Sequence, residues 1–489
     1  MSTEDAIEKI IGRFGVYQSL ILFLITIGRL PTEFQVNMVV FLLPNTDYIC
    51  RDGDTQNVTN HCPCYNPEFD QTTNVLTSAT SEWNLICDRQ YLASLAQSIM
   101  QVGILIGSLL YGFLSDRYGR KFAVLLALLS EALFIIASSF VPQFWMFLVC
   151  RFFIGSAVGG TMLCCYVILV ELSGKSFRPY MVGLHETSFV IGYLILAIMA
   201  YFVRDWRQLQ LVTSVPWLLV VVYFWVIPES PRWLMTVGKK EEAIQVLTHI
   251  ARKNNRPVDD IENIVNKSME ELAANNDQQK LSYADLFRTL KMRFYICVTS
   301  SIWMCCVLIF FGVNQYIGRL QGNLYLNVIL SALTVAPSLV VLVIGTLYLR
   351  RKVFVVSSFS LAAISLLILM FISRDNTTLN LVFAIIGHVG AYMSFVLVYL
   401  FTSEVFPTVI RNSAMGFSSM FGRIGGFVAP FIVNVGIEWV SILIFSALAF
   451  TAALLCCLLP ETSNITLLNS ITEAENFKRE KNDVNTADT

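Results

Sequence analysis

Charge is what this sequence has least of. Only 14% of its 489 residues are Asp, Glu, Lys or Arg, the formal net charge is -1, and there are four histidines. No dense Lys/Arg run lies beside aromatic residues in a polar segment, which argues against a nucleic-acid partner. Gly174-Lys175-Ser176 lacks the upstream glycine of a phosphate-binding loop, and His185-Glu186 lacks the second histidine of a zinc-protease helix. Neither ATP-driven transport nor metalloenzyme chemistry is therefore indicated. No catalytic residue, no cofactor and no resident metal are expected, and the chain does not read as an enzyme. No small-residue cleavage site follows the first apolar run, Phe14 to Leu30, which continues past Pro31 to Leu43. That run reads as a membrane span and not as a removed signal.

What the chain has instead is apolar length. Hydrophobic residues make up 55% of it and the mean hydropathy is +0.62, well beyond an ordinary soluble core. Apolar stretches long enough to cross hydrocarbon, roughly 20 residues each, recur between charge, proline or glycine. They predict twelve spans, at 14-43, 91-114, 122-141, 144-171, 180-203, 207-227, 293-317, 324-349, 353-373, 378-403, 412-436 and 437-459.

Two long polar segments interrupt the spans. The first, 44-90, holds Cys50, Cys62, Cys64 and Cys87 and the sequon at Asn57. Clustered cysteines in a polar loop indicate extracellular disulfides, with the pairing left open, and Asn57 a glycosylation site. Zinc held with His61 is the rival, but Cys62-Pro63-Cys64 lacks finger spacing. The second segment, 228-292, carries both charge signs and helical patterns such as Lys239 to Ile250. Arg117, Arg120, Lys121, Lys175, Arg178, Arg350, Arg351, Lys352 and Arg411 flank alternate loops, which places those loops and both termini in the cytoplasm. The expected organisation is then a cytoplasmic N-terminus with helix 1 (1-43), the extracellular loop (44-90), helices 2 to 6 (91-227), a cytoplasmic connector (228-292), a second six-helix half (293-459) and a cytoplasmic tail (460-489).

Gly112-Phe113-Leu114-Ser115-Asp116-Arg117-Tyr118-Gly119-Arg120-Lys121 forms a basic turn between the second and third spans. It matches the signature loop of the major facilitator superfamily. Gly112 permits close helix approach, Asp116 can meet a helix N-terminus or an arginine, and Gly119 allows the reversal. Glu229-Ser230-Pro231-Arg232-Trp233-Leu234 follows the sixth span, Ser403-Glu404-Val405-Phe406-Pro407 through Arg411 the tenth, and Pro460-Glu461-Thr462 the twelfth. Together these resemble the organic cation, carnitine and organic anion transporter family, over nearly the whole chain. The resemblance implies an all-α membrane protein with the twelve-helix major facilitator fold, two six-helix halves and a large extracellular loop between helices 1 and 2. It also implies a conformational latch built from Gly112, Asp116, Arg117, Gly119, Arg120, Glu171, Glu229, Arg232, Glu404 and Arg411.

Ionisable residues inside spans cost about 2.5-3.5 kcal/mol on insertion scales and so point to function. Arg423, within Phe421-Gly422-Arg423-Ile424-Gly425-Gly426, falls where the resembling cation transporters have aspartate and the anion and carnitine transporters have arginine. A guanidinium offers a two-pronged match to a carboxylate. Glu186 is placed to meet an ammonium group, and Glu33, beside Pro31, to do the same or to carry a proton. The alternative for both is internal pairing with Arg423 or Arg29, because buried charges need partners. Tyr166, Phe189, Trp303, Phe310 and Tyr399 align with cavity-lining aromatics of the resembling transporters and suit an ammonium, although helix packing explains any one of them as well. Glu131, Arg151, Glu171 and Glu404 read as conformational pairs that tie helices together or latch the cytoplasmic side, and His388 as a hydrogen-bonded packing residue.

The function expected is alternating-access transport of a small zwitterion or cation, carnitine-like or β-amino-acid-like, by a multi-pass protein of the plasma membrane. The partners are then a small organic molecule and the lipid bilayer, with no nucleic acid and no obligate protein partner. Coupling to sodium or to protons stays open; Pro31-Thr32 stands where the sodium-coupled carnitine branch has proline followed by asparagine. The rivals are an organic anion exchanger using Arg423 without a cation subsite, and a non-transporting receptor or scaffold on the same fold.

Overall fold

The computed structural model describes residues 3-44, 46-51, 58-60, 62-64, 66-69, 77-174, 177-275, 286-320, 322-373, 376-407, 410-435 and 437-462. Twelve helices among them are long and apolar enough to cross a membrane. We label these α1 (Val16–Asn37), α2 (Cys87–Tyr118), α3 (Arg120–Ser138), α4 (Phe144–Glu171), α5 (Gly183–Phe202) and α6 (Trp206–Val226). The second set is α7 (Leu290–Ile317), α8 (Leu324–Thr346), α9 (Arg351–Phe371), α10 (Thr377–Val405), α11 (Ser413–Val433) and α12 (Trp439–Leu458). The chain forms two compact units, Met1–Gln279 and Lys280–Thr489, so each holds six of these helices.

Sequence sets where several of the helices start. Asp205, Thr289, Asn323 and Asn376 each accept the amide hydrogen of the third residue beyond, satisfying a donor that the first turn leaves free. The expected turn at Gly112 is shorter than the sequence suggests. Helix α2 runs through Gly112 to Tyr118 and stops at Gly119, whose φ of +106° is closed to residues with a side chain.

Helix α1 breaks at Arg29, between helical pieces Val16–Gly28 and Leu30–Asn37. Pro31 has no N–H to give the Ile27 carbonyl. That carbonyl instead accepts the Trp217 indole at 2.8 Å, and the Leu24 carbonyl accepts the Tyr223 hydroxyl at 2.7 Å. The loose joint is thus pinned from α6, itself wound as a 3-10 helix over Val215–Val222, which includes Pro216.

In the first unit α2 and α4 lie backbone to backbone. A Cβ on Gly107 would stand 2.0 Å from the Ser156 carbonyl oxygen, and one on Gly155 would stand 2.2 Å from that of Met100. Only glycine lets the helices approach so closely, and dispersion across that seam replaces the hydrophobic driving force that lipid removes.

A small antiparallel sheet precedes α2, with Tyr48–Cys50 between Val58–Thr59 and Pro67–Phe69. Disulfides join Cys50 to Cys64 and Cys62 to Cys87. Asn57 and His61 lie outside the described residues. Beyond α6 come helices Pro231–Val237, Lys240–Lys253 and Ile261–Asn275. Asn254 ties them to the N-terminal helix Thr3–Ile11 and to the start of α1. Its side chain donates to the Ile11 carbonyl and accepts the Tyr17 amide hydrogen, at 3.0 and 3.1 Å.

Candidate functional site

The basic turn is a charge cluster closed by backbone groups. Arg120 forms ion pairs with Asp116 at 2.5 Å and with Glu171 at 3.1 Å. Glu229 Oε1 accepts the amide hydrogens of Arg120, Lys121 and Ser230 at 2.8, 3.1 and 2.9 Å. Burial pushes the Glu229 carboxyl above the usual carboxylate range, against the pull of those three N–H groups. Arg232 Nε donates to the Glu171 carbonyl at 3.2 Å. Arg117 is exposed, its guanidinium over the Tyr118 ring at 5.7 Å.

The second unit repeats the arrangement although its sequence keeps only part of the motif. Arg351 Nε pairs with Glu404 at 3.1 Å, and the Lys352 amide donates to Glu461 at 3.2 Å. The arginine-to-glutamate steps are 51 and 53 residues, and the backbone-to-glutamate steps are 109 in both units. Glu404 also accepts the Thr462 hydroxyl at 2.6 Å. Arg411 has its Nε and Nη2 enclosed with no hydrogen-bond partner among the described residues. Burial holds its guanidinium below the usual value, with Glu404 drawing the other way.

Inside the first unit the α1 break gathers the residues that charge alone singles out. Arg29 forms an ion pair with Glu33 one turn on, at 2.6 Å, and both are almost fully buried. Its Nη1 also contacts the His185 ring and donates to the His185 carbonyl at 3.2 Å. Ser188 donates to Glu33 at 3.2 Å. Glu33 is therefore occupied by Arg29, the internal pairing that the sequence leaves open. Glu186 is the more available carboxylate: its side chain is 29% exposed, and its one ion-pair contact among the described residues is His185 Nδ1 at 3.4 Å. Tyr166 packs edge-on against His185 at 5.5 Å, and Phe189 lies tilted against Tyr193 at 5.9 Å.

Inside the second unit an aromatic row follows one face of α10 against α7. Phe310 stacks on Phe395 at 4.9 Å, Phe395 meets Tyr399 at 5.5 Å, and Tyr399 meets Trp303 at 4.3 Å. Trp303 is anchored by its indole N–H on the Thr402 hydroxyl at 2.9 Å. His388 stacks on Phe310 at 5.8 Å and shares a hydrogen bond with Ser331 at 3.1 Å, which is the packing role its lone position suggests. Arg423 is half-buried on α11, beside Gly422, which lies against Trp303 and Val307. Its guanidinium makes no hydrogen bond or ion pair among the described residues.

Two expected pairs do not form. Arg151 is fully buried but is held by the amide oxygens of Gln35 and Gln97, at 3.2 and 2.7 Å, with no carboxylate partner among the described residues. Glu131 meets the hydroxyls of Thr32 and Thr161 and forms no ion pair among the described residues. Neutral polar side chains satisfied these charges, which spacing cannot reveal. His185, Phe395 and Ser331 likewise join the clusters with no signal in the chain beyond their residue type.

Two units of six membrane-length helices each, with a charged turn in both, suit a membrane carrier. The family described as "Sugar (and other) transporter" matches residues 56–473. An organic cation transporter protein of Drosophila melanogaster is 30% identical, over 98% of this chain and 95% of its own. Organic cation/carnitine transporter 2 of Homo sapiens is 29% identical over 96% and 94%, and solute carrier family 22 member 1 of Bos taurus 33% over 82% and 71%. The inward open xylose transporter XylE from E. coli superposes with a TM-score of 0.68 at 18% identity, covering 92% of this chain and 98% of that one; this likeness shows the major facilitator fold. The chain belongs to the organic cation, carnitine and organic anion transporter family, solute carrier family 22, of the major facilitator superfamily. It is a multi-pass membrane protein, and its relatives are transporters and not enzymes.

Proposed function

We propose that the protein carries small organic zwitterions across the plasma membrane by alternating access, with carnitine-like betaines and small β-amino acids as the substrate class. The observation that carries this is Arg423, a guanidinium partway along a membrane helix with no protein partner among the described residues. An unpaired charge at that depth is costly, and a ligand carboxylate is its chemical complement. In the same unit the row Trp303, Tyr399, Phe395 and Phe310 supplies aromatic faces for a quaternary ammonium, and in the first unit Glu186, whose ion-pair contact among the described residues is a histidine, offers a cation-recognising carboxylate. The names of the relatives, organic cation and organic cation/carnitine transporters, support the amine part of this reading. The two charged turns suit a latch holding one conformation on a cytoplasmic face, with the disulfide-bearing segment opposite.

The test is uptake into cells expressing the protein, with matched labelled zwitterion, cation and anion panels at two external pH values, with and without sodium. Preferred uptake of zwitterions is expected. Preferred uptake of plain anions would replace this reading with an anion exchanger that uses Arg423 alone, and no uptake above controls would favour the receptor or scaffold.

A further inference from the structure

Glu131 lies along α3 and is 1% exposed. Its Oε2 accepts hydrogen bonds from Thr32 of α1 at 2.8 Å and Thr161 of α4 at 2.9 Å. Its Oε1 is enclosed and has no hydrogen-bond partner among the described residues. Glu33 shows what a charged carboxylate obtains in the same unit: a guanidinium at 2.6 Å and a serine hydroxyl, both on Oε1, with its Oε2 likewise enclosed and unpartnered among the described residues, so that the guanidinium is what sets it apart. Glu131 has two neutral hydroxyls on one oxygen and nothing on the other. A bare carboxylate enclosed in that way is far costlier than a neutral carboxylic acid.

The titratable neighbours are few on every side. From α1 come Arg29 and Glu33, already paired with each other. From α2 comes Tyr111, whose hydroxyl bonds to Ser130 at 2.7 Å. From α4 come Cys164 and Cys165, both buried thiols. From α5 come His185 and Glu186, in contact with each other. From α6 comes Tyr223, whose hydroxyl is given to the Leu24 carbonyl. Of these, Arg29 is near enough to act on Glu131 through space, but it is paired with Glu33 and makes no hydrogen bond or ion pair with Glu131 among the described residues.

The position on α1 matters as much as the burial. Thr32 follows Pro31 at the break in α1, and Arg29, Thr32 and Glu33 leave that joint toward three different partners: His185, Glu131 and Ser188. A shift of the joint withdraws the Thr32 hydroxyl and moves the Arg29–Glu33 pair relative to Glu131 in one motion.

We propose that Glu131 is a proton-carrying site: its carboxyl holds a proton in the arrangement seen here, and the proton leaves to water on the opposite side of the membrane when the α1 joint moves. One proton binds from one side and one is released to the other, with no other bond made or broken. The proposal rests on the transport reading above, and it assigns the coupling proton to Glu131 and not to Glu33.

The experiment uses the full-length protein in liposomes containing a trapped pH-sensitive dye, with radiolabelled carnitine and β-alanine as probes. Two modes are read, exchange of labelled for unlabelled probe at equal pH and accumulation driven by an inward proton gradient. Wild-type protein is expected to show both, with dye-detected proton entry accompanying accumulation. Glu131→Gln is expected to keep exchange within about threefold and to lose gradient-driven accumulation and proton entry by about tenfold or more. Glu131→Asp, which restores a carboxyl, is expected to recover proton entry. Wild-type accumulation that ignores the proton gradient overturns the proposal and leaves the transport reading standing, as does full proton-driven accumulation by Glu131→Gln. Absence of exchange in wild type overturns the transport reading, and this one with it. Should Glu131→Gln not fold, Thr161→Val is read in its place. It removes one of the two hydrogen bonds to the carboxyl, so the pH midpoint of uptake should move by about half a unit or more, and an unmoved midpoint overturns the proposal.

Discussion

Glu229 closes the turn on Arg120 through the backbone, not through the guanidinium: its carboxylate accepts the Arg120 amide hydrogen at 2.8 Å, while the Arg120 side chain is engaged by Asp116 and Glu171. A helix start therefore borrows its missing acceptor from a segment beyond α6, and the same borrowing recurs between Lys352 and Glu461. The free N–H groups of a first turn need such partners wherever water is sparse.

Glu229→Ala should cost about 2 kcal/mol, because three amide donors lose one acceptor together, read as a melting shift of several degrees in detergent. Glu229→Gln keeps an acceptor oxygen and should melt within about 1 kcal/mol of wild type. The pH dependence has a definite sign. Burial raises the Glu229 carboxyl, so its contribution is present at acid pH and declines as pH rises through the raised value. Glu229→Gln should flatten that slope, and an unchanged slope would show that another group produces it.

Gly107→Leu should abolish folded protein, since its Cβ would stand 2.0 Å from the Ser156 carbonyl oxygen. Gly183→Ala on α5, where an added Cβ meets nothing within 4 Å, is the control and should change melting by less than about 0.5 kcal/mol. Size-exclusion profiles of the two variants decide the matter; a monodisperse Gly107→Leu would mean that the α2–α4 seam yields.

Arg351→Glu should reduce transport by about tenfold by placing two carboxylates together at the foot of α9, and adding Glu404→Arg should recover most of it. The wild-type pair is 3.1 Å apart with both side chains under one quarter exposed. Uptake measured at equal surface expression checks this, and a double variant no better than the single one would deny the pair a role.

Arg423→Asp should abolish zwitterion uptake, a loss of about a hundredfold or more, while surface expression stays unchanged. Glu186→Gln should weaken amine-bearing substrates selectively. Equal loss for anions would make Glu186 a structural partner of His185.

Twelve apolar stretches and the charged turn at Gly112 to Lys121 were legible in the chain, because a bilayer imposes length and apolarity one segment at a time. Local order therefore carried the fold class, and the motif residues carried the family. Glu33 has its partner Arg29 one turn back, within reach of sequence reasoning, whereas the partners of Arg151 and Glu131 were not legible, since each sits on another helix. Arg351 and Lys352 read as bare topology charges, yet they rebuild the first unit's cluster with Glu404 and Glu461.

Sequence by itself determined which residues enter the membrane and which of them are charged. Tertiary structure alone decided which charges are spent on the protein: Glu33 on Arg29, Arg151 on two glutamines, Glu131 on two threonines, and Arg423 on no described partner. The physical reason is that hydrocarbon requires every charge to be compensated, but any side chain of suitable polarity on any neighbouring helix can supply the compensation, and only packing chooses among them.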